Sequence, residues 1–146
     1  MCLKVNGELT KKYKSRTKSF IAYKVYYQTK SDLRSCHPSS PGGIIRHHGY
    51  IISDIKDTRC YGDIVENGIH TFANKKDAKR WITDKLTIRR DAVVVPVRVN
   101  PKNIIAAGPI CYTGSYDICF DVPTLVTSKV YISKNSFSNA LKKENK

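Results

Sequence analysis

The side chains best suited to chemistry lie between positions 36 and 70: Cys36, His37, His47, His48, Cys60 and His70. Cysteine and histidine are the usual zinc ligands, but structural zinc sites space them as Cys-x2–4-Cys or His-x3–5-His. Here they come as adjacent pairs, Cys36-His37 and His47-His48. Neighbouring side chains on extended backbone point to opposite faces, so adjacent pairs are poorly placed around one tetrahedral ion. No metal site is expected. A thiol nucleophile needs a base that a third group holds in place. Cys36, His70 and Asp63 supply those types, but not in any motif spacing. Glu8, Glu66 and Glu144 are the only glutamates, and no two acids form a paired-carboxylate motif. The sequence predicts no catalytic residue and no cofactor, and it leaves His37, His47, His48 and His70 without roles.

Charge gives the stronger signal. Lys and Arg number 26 against 12 Asp and Glu, a formal net charge of +14 on 146 residues. So large a positive excess opposes compaction, and it points to a polyanionic partner rather than a solubilising surface. The cations fall in three groups. Lys11, Lys12, Lys14, Arg16 and Lys18 make a basic arm over residues 1–19, read as extended or as a strand with one charged face. Arg34 and Arg46 belong to a Ser-, Pro- and Gly-rich loop over residues 30–49, where Gly42 and Gly43 would let backbone amides approach an anion. Lys75, Lys76, Lys79 and Arg80 open a helix. Cations in a first helical turn oppose the positive end of the helix dipole, so Asn74, Lys75 and Lys76 form a candidate anion site. Arg89, Arg90 and Arg98 would extend the track if they share a face. Tyr13 and Tyr26 are candidate platforms for base stacking.

The elements that position these residues follow from local pattern. Residues 20–27 are β-branched and aromatic at nearly every position, which predicts a central strand covered on both faces. Residues 49–55, 69–72, 92–99, 104–108 and 129–132 read as further strands, and an Asn67-Gly68 turn precedes the third of these six. Asn74 caps a helix from about Lys75 to Leu86, with Ala78, Trp81, Ile82 and Leu86 on the buried face. Trp81 is accordingly a core anchor. Pro96 predicts an edge strand or a bulge. Gly114 marks a hairpin within residues 109–120, and Pro123 breaks the chain. The fold expected is α+β: a mostly antiparallel, twisted sheet with one principal helix packed on a face. Residues 1–146 should form a single domain, with the basic arm at one end and, over 133–146, a tail that is frayed or a weak helix.

Five cysteines, widely spread and odd in number, read as reduced thiols in a cytoplasmic setting. No apolar run follows Met1-Cys2-Leu3-Lys4-Val5, so no secretory signal is expected. No run approaches the ~20 apolar residues that span a bilayer, and no membrane association is expected.

Two family resemblances bear on function. The Tyr23-Lys24-Val25 strand, the Gly49-Tyr50 strand and Gly68-Ile69-His70-Thr71-Phe72 before Asp77-Ala78 resemble small accessory proteins encoded by phages, large DNA viruses and bacteria. That resemblance covers about residues 20 to 108. That group implies no established activity, but it points to an accessory viral protein inside the host cell, a class whose jobs are often to bind nucleic acid or disable a host factor. The same Gly-Ile-His-Thr-Phe stretch, the helix with Ala78-Lys79-Arg80-Trp81 and the Val-rich strand ending in Ile104-Ile105 resemble ADP-ribosyltransferase-like and tRNA 2′-phosphotransferase-like proteins. The former place a catalytic Glu on a late strand, but no Glu lies between Glu66 and Glu144 here. The expected function is a non-enzymatic, virus-encoded protein that contacts the phosphate backbone of nucleic acid. An inhibitor that docks on a host defence nuclease or other nucleoprotein is the alternative, and a nucleotide-using transferase is the third.

Overall fold

A computed structural model describes residues 2–35, 43–53, 59–61, 63–66, 68–85, 91–111 and 117–142. Cys36, His37, Gly42, Asn67, Leu86, Arg89, Arg90 and Gly114, considered above, fall outside the described residues. Twelve strands belong to one sheet: β1 (Cys2–Lys4), β2 (Phe20–Gln28), β3 (Leu33–Arg34), β4 (Ile44–Ile45), β5 (Gly49–Ile52), β6 (Arg59–Tyr61), β7 (Ile64–Glu66), β8 (Ile69–Phe72), β9 (Ala92–Val99), β10 (Ile104–Cys111), β11 (Ile118–Thr127) and β12 (Lys129–Ile132). The main path across it is β5-β12-β9-β2-β8-β11-β10-β1-β7-β6, with β3 paired to β2 and β4 to β3. Every pairing among the described residues is antiparallel. The protein is α+β, with a mostly antiparallel sheet.

Three helices accompany the sheet, where the sequence led us to expect one. They are α1 (Gly7–Lys14), α2 (Lys75–Lys85) and α3 (Lys134–Lys142). The amino-terminal segment read as an extended arm is therefore a strand followed by a helix. Asn6 caps α1 by accepting the Leu9 N–H at 3.0 Å, which satisfies one of the helix's orphan donors. Leu9 and Tyr13, four apart, then share the buried side of the helix. The tail, read as frayed or a weak helix, holds α3, which packs Phe137, Ala140 and Leu141 into the core. Ser133 starts it, its hydroxyl accepting the Ser136 N–H at 3.1 Å. Gln28 ties its end down by donating from Nε2 to the Leu141 carbonyl at 2.5 Å.

Alternation along β2 separates the two faces of the sheet. Ala22 and Tyr26 enter one core with Val93, Val95, Val97 and Val99 of β9, covered by α1 and α3. Tyr23 and Val25 enter the other with Val94, Phe72 and Phe120, covered by Ala78, Trp81 and Ile82 of α2. Trp81 anchors this second core, its ring edge-to-face with Phe120 at 5.4 Å. Strand β2 is thus central and covered on both sides, as its composition predicts.

The two prolines behave differently from expectation. Strand β9 is interior, between β2 and β12, not at an edge. However, β12 pairs with it only at Tyr131↔Arg98, so at Pro96 the β12 side carries no ladder bond for the missing N–H to break. Pro123 does not break the chain, because β11 runs through it. The register against β10 shifts between Gly108↔Thr124 and Ile110↔Phe120, and Pro123 falls in that bulge. Its carbonyl still accepts the Ala73 N–H at 3.0 Å.

Candidate nucleic-acid interface

Helix α2 lies over Tyr23, Val25, Ala92 and Val94 and leaves one end of that sheet face uncovered among the described residues. Four residues form a row across the open end. Tyr50 of β5 is opposite Tyr131 of β12, Tyr131 is opposite Arg98 of β9, and Arg98 is opposite Ile21 of β2. Strands about 4.8 Å apart make this row about 14 Å long. Ile51, Val130, Ile132, Val97, Val99 and Ala22 point the other way, into the core. Period-two alternation therefore forces Tyr50, Tyr131, Arg98 and Ile21 to the outside. Tyr50 is 68 % exposed and Ile52, two residues on, is 60 % exposed.

The Tyr50 and Tyr131 rings meet edge-to-face, with centroids 5.0 Å apart. Lys129, on the same side of β12 as Tyr131, sets its Nζ 4.2 Å from the centre of the Tyr50 ring. A groove of about 360 Å³ runs beside them, lined by Ser19, Tyr50, Arg98, Asn100, Asn103, Lys129, Val130 and Tyr131. No acid is among those residues, and neither Arg98 nor Lys129 is in an ion pair among the described residues. Lys18 directly precedes Ser19, and Lys102 lies between Asn100 and Asn103. Both lysines are exposed and adjoin groove-lining residues along the chain. Such a site can hold a phosphate electrostatically and offer an aromatic face to a planar group.

The residues chosen from sequence divide around this groove. Lys75, Lys76, Lys79 and Arg80 are exposed on α2, on the same side of the sheet. Asn74 donates to Asp77 Oδ2 at 3.1 Å, so a carboxylate already sits in the first turn where an external anion was expected. Arg80 is committed as well: its Nε reaches Asp84 Oδ2 at 3.4 Å, and its guanidinium lies 4.9 Å from the centre of the Phe120 ring. Lys11, Lys12 and Lys14 are exposed on α1, which packs on the opposite side. Arg16 follows it, with its guanidinium 4.7 and 4.6 Å from the Tyr13 and Phe20 ring centres.

Arg34 and Arg46 are elsewhere. Arg34 is opposite Tyr27, six residues along β2 from Ile21 of the groove row, which is about 20 Å on a strand. Its guanidinium makes a two-point contact with Asp32, 3.0 Å to Oδ1 and 3.3 Å to Oδ2. That contact and the Thr29 hydroxyl hold the Asp32 carboxyl below the usual carboxylate range. Arg46 and the adjacent His47 and His48 are exposed just past β4.

Both stacking candidates need correction. Tyr13 is 6 % exposed and Tyr26 fully buried, so neither ring has a face to offer a base. The alternation of β2 and the packing side of α1 turn them into the core. Tyr50 and Tyr131 were passed over, although a tyrosine alternating with Ile51 and another alternating with Val130 and Ile132 mark outward positions on half-covered strands. Among the described residues no group of three or more His, Cys, Asp or Glu could hold a metal ion. His70 is buried, with Nδ1 3.3 Å from the Gly68 carbonyl. Cys2 and Cys111 are cross-strand neighbours and remain thiols. Burial, and then the nearby Cys2 and Cys119, push the Cys111 thiol up, away from the reactive thiolate form. No helix among the described residues is long and apolar enough to cross a membrane.

Comparison of the chain with family models, curated proteins and solved structures finds no match in any of the three.

Proposed function

We propose that this protein binds nucleic acid through its phosphate backbone and is not an enzyme. The observation that carries the reading is the groove, free of acids among the described residues, in which Arg98 and Lys129, neither of them ion-paired among those residues, lie beside the Tyr50–Tyr131 pair. A net charge of +14 supplies the long-range attraction that steers a polyanion to it. The exposed lysines of α2 extend positive potential over the same side of the sheet, and Lys18 and Lys102 add to it next to groove-lining residues in the chain. The neighbouring thiols Cys2 and Cys111 favour a reducing, cytoplasmic setting.

Fluorescence anisotropy with labelled DNA and RNA across a salt series tests this. Log affinity should fall linearly with log salt concentration, with a slope of about 0.7 to 0.9 per phosphate contacted. Arg98→Glu with Lys129→Glu should flatten that slope by one to two contacts. Failure of the wild-type protein to bind any probe at low salt would end the reading.

A further inference from the structure

We infer that the groove is a single-strand site in which an unpaired base stacks on Tyr50 while Arg98 and Lys129 hold the flanking phosphates. The inference rests on the nucleic-acid reading above and specifies the ligand that this surface selects. Three observations carry it. A tyrosine 68 % exposed on a strand is not a core residue, yet it is held in one place. Its backbone is paired to β12, and its ring is braced edge-to-face by Tyr131 at 5.0 Å. A braced aromatic receives a base with little further loss of side-chain freedom.

The surroundings match a nucleotide strand and not an apolar partner. Lys129 Nζ lies over one face of the Tyr50 ring, 4.2 Å from its centre, and Arg98 lies one strand beyond Tyr131, so each tyrosine of the pair has a cation beside it. Asn100 and Asn103 add amide groups along the groove. An apolar protein surface would bury both cations without a counter-charge, which is costly. A nucleic-acid strand supplies phosphates to the cations and a planar face to the ring.

Strand state follows from what the ring can reach. In a duplex every base is already stacked and paired, so Tyr50 would gain nothing without unstacking it. An unpaired base presents its π-face freely. Duplex therefore has only the phosphate contacts to offer, and single strand has both. The row from Tyr50 to Ile21, about 14 Å long, gives room for a short stretch of strand.

The test is anisotropy at one fixed salt concentration with three probes: a single-stranded oligonucleotide, its duplex, and the single strand with several abasic positions. The proteins are the wild type, Tyr50→Ala and Tyr50→Phe. The wild type should bind the single strand at least tenfold more tightly than the duplex. Tyr50→Ala should weaken single-strand binding by about tenfold to a hundredfold, the range for loss of one base–aromatic stack. It should leave duplex binding unchanged, and Tyr50→Phe should bind like the wild type. The abasic probe should behave towards the wild type as the normal strand does towards Tyr50→Ala. Equal binding of single strand and duplex, or a Tyr50→Ala protein that binds single strand like the wild type, would overturn the single-strand site while leaving nucleic-acid binding standing. No binding to any probe would overturn both. Tyr50 is exposed, so all three proteins should stay folded, with Tyr50→Ala melting only slightly lower for loss of its contact with Tyr131.

Discussion

Gly108 of β10 passes so close to Lys4 of β1 that a Cβ at position 108 would overlap the Lys4 carbonyl oxygen. The approach occurs where Val5 donates to the Asp63 carbonyl and Asn6 donates to that of Ala107, at the junction of β1, β10 and the start of α1. Since the obstructing atom is backbone, no side chain can swing away to make room. Gly108→Ala should cost about 1–3 kcal/mol of stability, the usual range for overpacking a filled interior. A urea titration read by tryptophan fluorescence would show the lower midpoint. An unchanged midpoint would mean that β1 is not held in this register.

Tyr26 carries a phenol that the fold does not use. Its ring is fully buried, its hydroxyl has no hydrogen-bond partner among the described residues, and burial pushes its ionisation far above the ordinary range. An unsatisfied buried hydroxyl costs about 1–3 kcal/mol in desolvation. Tyr26→Phe should therefore keep or raise the melting temperature, with nucleic-acid affinity unchanged. A marked loss of stability would reveal a partner for that hydroxyl, and a loss of affinity would return Tyr26 to the site.

Asp32 makes stability depend on acid pH. Arg34 and Thr29 lower its pKa in the folded protein, so the native state binds this proton less readily than the unfolded chain does. The stabilisation is fully present above the unfolded value, about 3.9, and is lost as pH falls through the lower, folded value. Melting temperatures measured from pH 6 downward should decline through this range for the wild type. Asp32→Asn should start lower and decline less steeply. Parallel curves for the two proteins would remove Asp32 from the account.

Lys75 and Lys76 separate helix electrostatics from ligand binding. Both are exposed in the first turn of α2, where positive charge opposes the dipole and Asp77 offsets it. Lys75→Glu with Lys76→Glu should raise stability by about 0.5 kcal/mol, seen as a higher melting temperature at low salt. The single-strand salt slope should change less than with Arg98→Glu and Lys129→Glu. A larger change from the α2 pair would shift the interface towards the helix.

Local pattern carried much of this fold. Residues 69–72 and 92–99 and the body of α2 follow from alternation, β-branched content and a capped helical stripe, all of which act within a few residues. Helix α1 was hidden, although Asn6, Leu9 and Tyr13 hold its signal. Eight residues rich in lysine are marginal as an isolated helix, and packing against β10 decides the outcome. The groove was hidden for a different reason. Lys129, Tyr131 and Tyr50 become neighbours only through the β5–β12 pairing, and Arg98 only through β12–β9. Nothing near Tyr50 in the sequence names its partner strand. The same gap explains the choice of Tyr26 over Tyr50. Composition shows which strands are aromatic, but which side of each is covered depends on where α1, α2 and α3 come to rest.

The position of β1 has a consequence for the order of assembly. Cys2, Leu3 and Lys4 lie between β10 and β7, well inside the sheet. As the chain leaves the ribosome, β1 can pair with β7 once Ile64–Glu66 have been made, but its other edge must wait unpaired until Ile110 and Cys111 follow. Contacts this distant in sequence slow folding. The sheet should therefore gain its final cooperativity late, in one closing step that joins the earliest strand to one of the last.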